Sequence, residues 1–204
     1  STASVHHPAH MASMAALRPG ERAVDLDGFF LKSFSPGFHA FLRDELRFTD
    51  DEMAQEYRIW RSHAEAARPA FFPGFLDALA AYRAAGGRFV VVSHSEGDLI
   101  RRHYREANRE LMPDAVFGWE AGEGRRKPDP WPALETLRRF GLAPGEALVV
   151  DDLSPGILMA RAAGIPSAAA GWAHHLPEVR DYMRTNTLGI LETVADFAAF
   201  ILQA

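Results

Sequence analysis

The chain alternates short apolar runs with longer stretches in which apolar residues recur every three or four positions. Runs of this kind are strand-sized, and the longer spacing is that of a helix with one buried face. Candidate strands cover residues 23–26, 88–93, 115–117, 147–150 and, more faintly, 167–170. Between them, Phe75, Leu76, Leu79, Ala80 and Tyr82 share a helical face, and Gly86-Gly87 supplies a stop. Further helices are expected over 98–109, from Pro130 or Pro132 to Gly141, and over 155–163 up to Gly164. Leu134, Leu137 and Phe140 form a stripe that reads as core. Strand and helix in alternation predict an α/β fold, a Rossmann-like parallel sheet between two layers of helices.

Residues 33–68 break the alternation and read as helical throughout, which predicts a small helical module inserted into the core. Thr49 followed by Glu52 has the pattern of a capping box at the head of a helix carrying Met53, Tyr57, Trp60 and Ala64. The organisation expected is therefore a core of residues 16–32 and 69–204 interrupted by a helical module of 33–68. Residues 1–15, with His6, His7 and His10 among small side chains, read as a frayed tail or a foreign remnant. A metal site at those histidines is the alternative.

Composition narrows the function. A hydrophobic share of 48% is ample for a buried core, and 204 residues suit one domain with an insertion. The net charge of −5 offers no general attraction to nucleic acid or to an anionic lipid surface, so neither is expected as a partner. No apolar run approaches the roughly 20 residues of a membrane span. With no cysteine there is neither a disulfide nor thiolate catalysis, which accords with a cytoplasmic setting.

In an open parallel sheet the carboxyl ends of the strands form the ligand crevice. Four groups of polar residues are expected there. Asp25-Leu26-Asp27-Gly28 follows the first strand, where one carboxylate can attack while the other moves protons; an acidic turn is the plainer reading. Asp151 and Asp152 follow Val149-Val150. Four carboxylates near one point repel, and a hard divalent cation such as magnesium would resolve the conflict; capping of the next helix is the alternative for the second pair. Ser93 ends the run Phe89-Val90-Val91-Val92, with Ser95 and Gly97 beyond it, a small-residue turn that can hold phosphoryl oxygens or merely cap a helix. Lys127, within Arg125-Arg126-Lys127-Pro128, can offset developing negative charge or be an ordinary basic turn.

In this order the four groups resemble the haloacid dehalogenase superfamily, in particular its small phosphatases with a helical cap between the first and second motifs. The resemblance covers about residues 20–172 and looks most like the phosphoglycolate phosphatase and phosphomutase branch. It implies that Asp25 is the nucleophile and forms an aspartyl-phosphate, and that Asp27 is the general acid and then the base. It also implies that Lys127 is catalytic and that Ser93 holds the phosphate. Magnesium would be held by Asp25, the carbonyl of Asp27 and Asp152, with Asp151 as a further ligand or as an acceptor behind the ligands. Gly156 and Ala162-Ala163-Gly164 complete the fourth motif.

The chain departs from the pattern at Phe29, where a threonine is usual, at Leu153, where serine or threonine is common, and at His94, where asparagine is frequent. His94 is a candidate substrate contact or a turn residue. Arg43, Arg47, Arg58, Arg61 and His63 of the cap are candidates for recognising a polar substrate end. The activity expected is magnesium-dependent hydrolysis of a small phosphorylated metabolite. Phosphoryl transfer by a mutase, carbon–halogen hydrolysis and a non-catalytic binding role are the alternatives.

Overall fold

In the computed structural model, residues 2–203 are described; Ser1 and Ala204, at the ends of the expected tail and core, lie outside them. The chain divides into two compact units, one ending at Ala70 and the other beginning at Phe71.

The first unit is helical. Its main helices are α1 (His7–Leu17), α2 (Leu26–Phe34) and α3 (Asp50–Ala66), with single turns between α2 and α3. The capping box is present: the Thr49 hydroxyl accepts from the Glu52 amide, and the Glu52 carboxylate accepts from the Thr49 amide at 2.9 Å. Residues 1–15 are not a frayed tail among those described. Helix α1 packs along α3 and buries Ala9, His10, Ser13 and Met14, and Trp60 Nε1 donates to His6 Nδ1 at 2.8 Å. Side chains that find an apolar partner face order a segment that looks featureless in sequence.

The expected strand at 23–26 forms no ladder. Asp25 instead caps α2, its Oδ1 accepting from Gly28 N at 2.8 Å, and the helix begins at Leu26. Ala23 and Val24 pack against Met14, Phe41, Leu42 and Phe48, and the Val24 carbonyl accepts from His7 Nε2 at 3.0 Å. Residues 16–32, expected in the core, therefore pack with the helices of the first unit.

The second unit is α/β, in the order α4 (Phe75–Ala84), β1 (Val90–Val92), α5 (Gly97–Ala107), β2 (Ala115–Phe117), α6 (Trp131–Phe140), β3 (Val149–Asp151), α7 (Ser154–Ala162), β4 (Ser167–Ala170), α8 (Pro177–Asn186), β5 (Ile190–Leu191) and α9 (Val194–Gln203). All ladders are parallel: β1 pairs with β2, and β4 lies between β3 and β5. Successive residues on a strand face opposite sides. Accordingly Val91 and Val150 meet a cluster built on Leu79, Ile100, Tyr104 and Phe197, whereas Val92 and Val149 meet Leu137, Met159 and Ala160. Helices α4, α5 and α9 thus cover one face of the strands and α6 and α7 the other. Helix α6 stops at Gly141, whose left-handed φ of 66° suits a residue without a side chain. Among the described residues, no helix is long and apolar enough to cross a membrane.

Candidate active site

Two strands of the second unit bring candidate site residues to their carboxyl ends, β1 with Ser93 and β3 with Asp151. β1 runs into Ser93, whose amide donates to the Phe117 carbonyl at 2.9 Å and prolongs the ladder with β2. The Ser93 Oγ accepts from Ser95 N at 3.0 Å. Next to it, Gly97 N is also engaged, donating to Glu120 Oε2 at 2.9 Å. The glutamate thus occupies the anion position at the head of α5, and two amides expected to face a phosphate have protein partners.

β3 ends at Asp151, and Lys127 Nζ lies 2.5 Å from Asp151 Oδ2. Both side chains are mostly buried, at 14% and 10% exposure. Asp151 Oδ1 accepts from Leu153 N at 3.0 Å, so both carboxylate oxygens are engaged. Burial by itself weakens the Lys127 ammonium's hold on its proton. The charge of Asp151, the hydrogen bond to it and the charge of Asp152 outweigh that, and the net shift is upward. Lys127 is a fixed cation.

Asp152 behaves differently. Burial first, and then the negative charge of Asp151, raise its carboxyl above the usual range, against the opposing charges of Lys127 and His174 and its own backbone amide. A buried carboxylate beside another is a hard oxygen donor that lacks enough positive charge nearby. That is the chemistry magnesium answers, and the pair Asp151 and Asp152 fits the ion as a donor set. Among the described residues no three His, Asp or Glu side chains cluster as a ready-made cage.

Two histidines hold the loops. His94 Nε2 lies 2.6 Å from the Lys127 carbonyl, and His174 Nε2 lies 2.9 Å from the Asp152 carbonyl. Each ring nitrogen donates, since a carbonyl can only accept. His94 also meets Trp119 edge to face, with ring centroids 6.2 Å apart. Burial, followed by the charge of Lys127, lowers its pKa, which keeps the imidazole neutral. Glu120 and His174 were not singled out from sequence. The signal for His174 was available, since His174-His175 follows the carboxyl end of β4 as the other polar groups follow theirs.

Asp25 and Asp27 lie in the first unit, both exposed, one at the N-cap and one in the first turn of α2. Of the cap candidates, Arg43 pairs with Asp50 at 2.6 Å and Arg61 with Glu65 at 2.8 Å, while His63 Nδ1 lies 2.9 Å from the Ile59 carbonyl. Those three serve the helical unit itself in this arrangement.

The chain matches the family described as haloacid dehalogenase-like hydrolase over residues 36–170. It is 28% identical to a phosphoglycolate phosphatase of Aquifex aeolicus over 147 residues, 70% of this chain and 67% of that protein. A phosphoglycolate phosphatase of Xanthomonas campestris is 47% identical over 51 residues, a quarter of this chain (25%) and 23% of the relative. Among solved structures, a haloacid dehalogenase-like hydrolase from Bacteroides fragilis superposes with a TM-score of 0.81 at 18% identity, over 97% of this chain and 92% of that one. A family hydrolase from Deinococcus radiodurans, crystallised with phosphate and sodium, gives 0.71 at 21% identity, over 100% and 90%. At these identities the structural likeness establishes the fold.

Proposed function

Because the chain belongs to the haloacid dehalogenase-like hydrolases, we propose that it is a magnesium-dependent phosphatase acting on a small phosphorylated metabolite through an aspartyl-phosphate. The observation that carries this reading is the Lys127–Asp151 pair beside the buried, under-compensated Asp152, at the carboxyl end of β3. The phosphoglycolate phosphatases among the relatives support the phosphoester class.

In this reading the Asp25 carboxylate attacks phosphorus, and Asp27 gives its proton to the departing alkoxide. Asp27 then takes a proton from the water that hydrolyses the acyl phosphate. Ser93 keeps its hydroxyl hydrogen for a phosphoryl oxygen, because its lone pair already accepts from Ser95 N. His94 has Nε2 committed to the Lys127 carbonyl and meets substrate through its exposed edge. Lys127 supplies positive charge where negative charge develops. Magnesium, held by Asp25, the Asp27 carbonyl, Asp151 and Asp152, would polarise the phosphoryl oxygens and offset the carboxylates' repulsion.

The test is phosphate release from a panel of phosphorylated metabolites, with and without magnesium. Turnover is expected to vanish with chelator and return with the ion. Asp25→Asn is expected to lose on the order of 10⁶-fold in kcat, the scale seen when a covalent nucleophile is removed. Wild-type turnover by Asp25→Asn, in material free of contaminating phosphatase, would overturn the assignment.

A further inference from the structure

Arg126 is a cation without a matching anion. Its guanidinium carbon sits 3.6 Å from the centroid of the Trp119 ring. Its Nε is buried with no hydrogen-bond partner, and among the described residues no carboxylate lies within ion-pair distance of the guanidinium. Burial pulls its pKa down, and only Glu123 pushes the other way. Such a group gains from a planar oxyanion, which it can grip with two parallel N–H donors. Stacking on tryptophan supplies only part of that.

The neighbouring cation is already engaged, because Lys127 is paired with Asp151 at 2.5 Å. Arg126 nevertheless adjoins Lys127, whose carbonyl meets His94 Nε2 at 2.6 Å, and lies on the Trp119 ring that His94 meets at 6.2 Å, so its unmatched charge sits beside the turn that carries Ser93. Trp119 fixes the guanidinium there. Its backbone amide donates to the Ser95 carbonyl at 2.9 Å, and its ring meets His94 at 89°. Arg125, by contrast, is exposed and lies over Trp131.

We propose that Arg126, seated on Trp119, is a second anion subsite that takes a carboxylate or second phosphate borne by the substrate. This rests on the phosphatase reading and narrows it to small phosphomonoesters carrying another oxyanion.

The experiment measures binding apart from turnover. Three non-hydrolysable compounds with the same three-carbon skeleton are titrated by calorimetry into the magnesium-loaded protein: 3-phosphonopropionate, 1,3-propanediphosphonate and propylphosphonate. Wild type is expected to prefer a doubly anionic compound over propylphosphonate. Arg126→Gln is expected to shrink that preference at least about tenfold, the worth of a hydrogen bond to a charged group. Arg126→Lys, which keeps charge and stacking, is expected to retain part of it and also covers the case in which the glutamine variant folds poorly. The arm with the larger loss assigns carboxylate or phosphate. Equal preference in wild type and Arg126→Gln, or none in wild type, overturns the subsite. Phosphate release by wild type across the panel of phosphorylated metabolites judges the phosphatase reading separately; failure on every member overturns that reading while the binding ratios still decide the subsite.

Discussion

A methyl group on Gly156 would fall 2.2 Å from Asp151 Oδ2, the oxygen that binds Lys127. The first turn of α7 therefore approaches the end of β3 so closely that only glycine fits, and the approach seats the carboxylate. Gly156→Ala is expected to push Asp151 off Lys127 and to lower kcat by about 10²-fold or more, the scale for a misplaced catalytic group. Its helical content should be intact by circular dichroism, because alanine favours a helix. Full activity in Gly156→Ala would show that the Lys127–Asp151 geometry is unimportant.

The same pair makes a prediction about stability. Removing one member of a mostly buried ion pair leaves an uncompensated charge, at a cost of about 3–5 kcal/mol. Asp151→Asn should therefore lower the urea midpoint, whereas the double change Lys127→Met with Asp151→Leu should recover most of the loss. The pair also sets an alkaline limit. Its effect on Lys127 is to raise the folded-state pKa, so that stabilisation is present below the unfolded pKa, about 10.4, and disappears as pH rises past the folded value. Equal destabilisation in the single and double variants would mean that the charge pair contributes little.

The sequence shows the second unit well because its signals are local. Residues 115–117 and 167–170 match β2 and β4 at both ends, and Thr49 with Glu52 marks the head of α3. Apolar periodicity fails where tertiary partners decide. Ala23 and Val24 are as apolar as any strand, yet they pack on Phe41 and Leu42 and lead into a helix capped by Asp25. β5 has only two residues, Ile190 and Leu191, too few for a pattern, and depends on β4 for its ladder. Among the candidate site residues, the charged side chains stand out by type in the sequence. The bonds that hold their backbone, from His94 and His174, arise only after distant loops meet.

Asp152 predicts how metal and stability are linked. Its carboxyl is raised mainly by burial, so in the folded protein the ionised form is harder to reach there than in the unfolded chain. The folded state then loses stability as pH climbs from the unfolded value near 3.9 through the raised folded one. Magnesium binds the ionised form and should counter this loss. Wild type at pH 7.5 is expected to gain several degrees in Tm on addition of magnesium, and Asp152→Asn little. An equal gain in both would place the ion elsewhere.

His10 and Glu56 give the helical unit opposite pH limbs. Burial among Phe29, Phe38 and Phe41, with a smaller contribution from His7, lowers the His10 pKa to about 4. A group depressed in the folded state costs stability as pH falls through its unfolded value, near 6.5, toward that lower one. Burial raises Glu56 to about 7. Its stabilising protonation is complete below its unfolded value, near 4.5, and is lost as pH rises toward 7. The Glu56 shift is worth on the order of 3 kcal/mol by pH 8. Glu56→Gln should therefore be more stable than wild type at pH 8 and converge with it near pH 4, while His10→Phe should flatten the acid limb. Urea unfolding from pH 4 to 8 reads both, and a Glu56→Gln curve parallel to wild type throughout would show that this carboxyl is solvated in the folded chain.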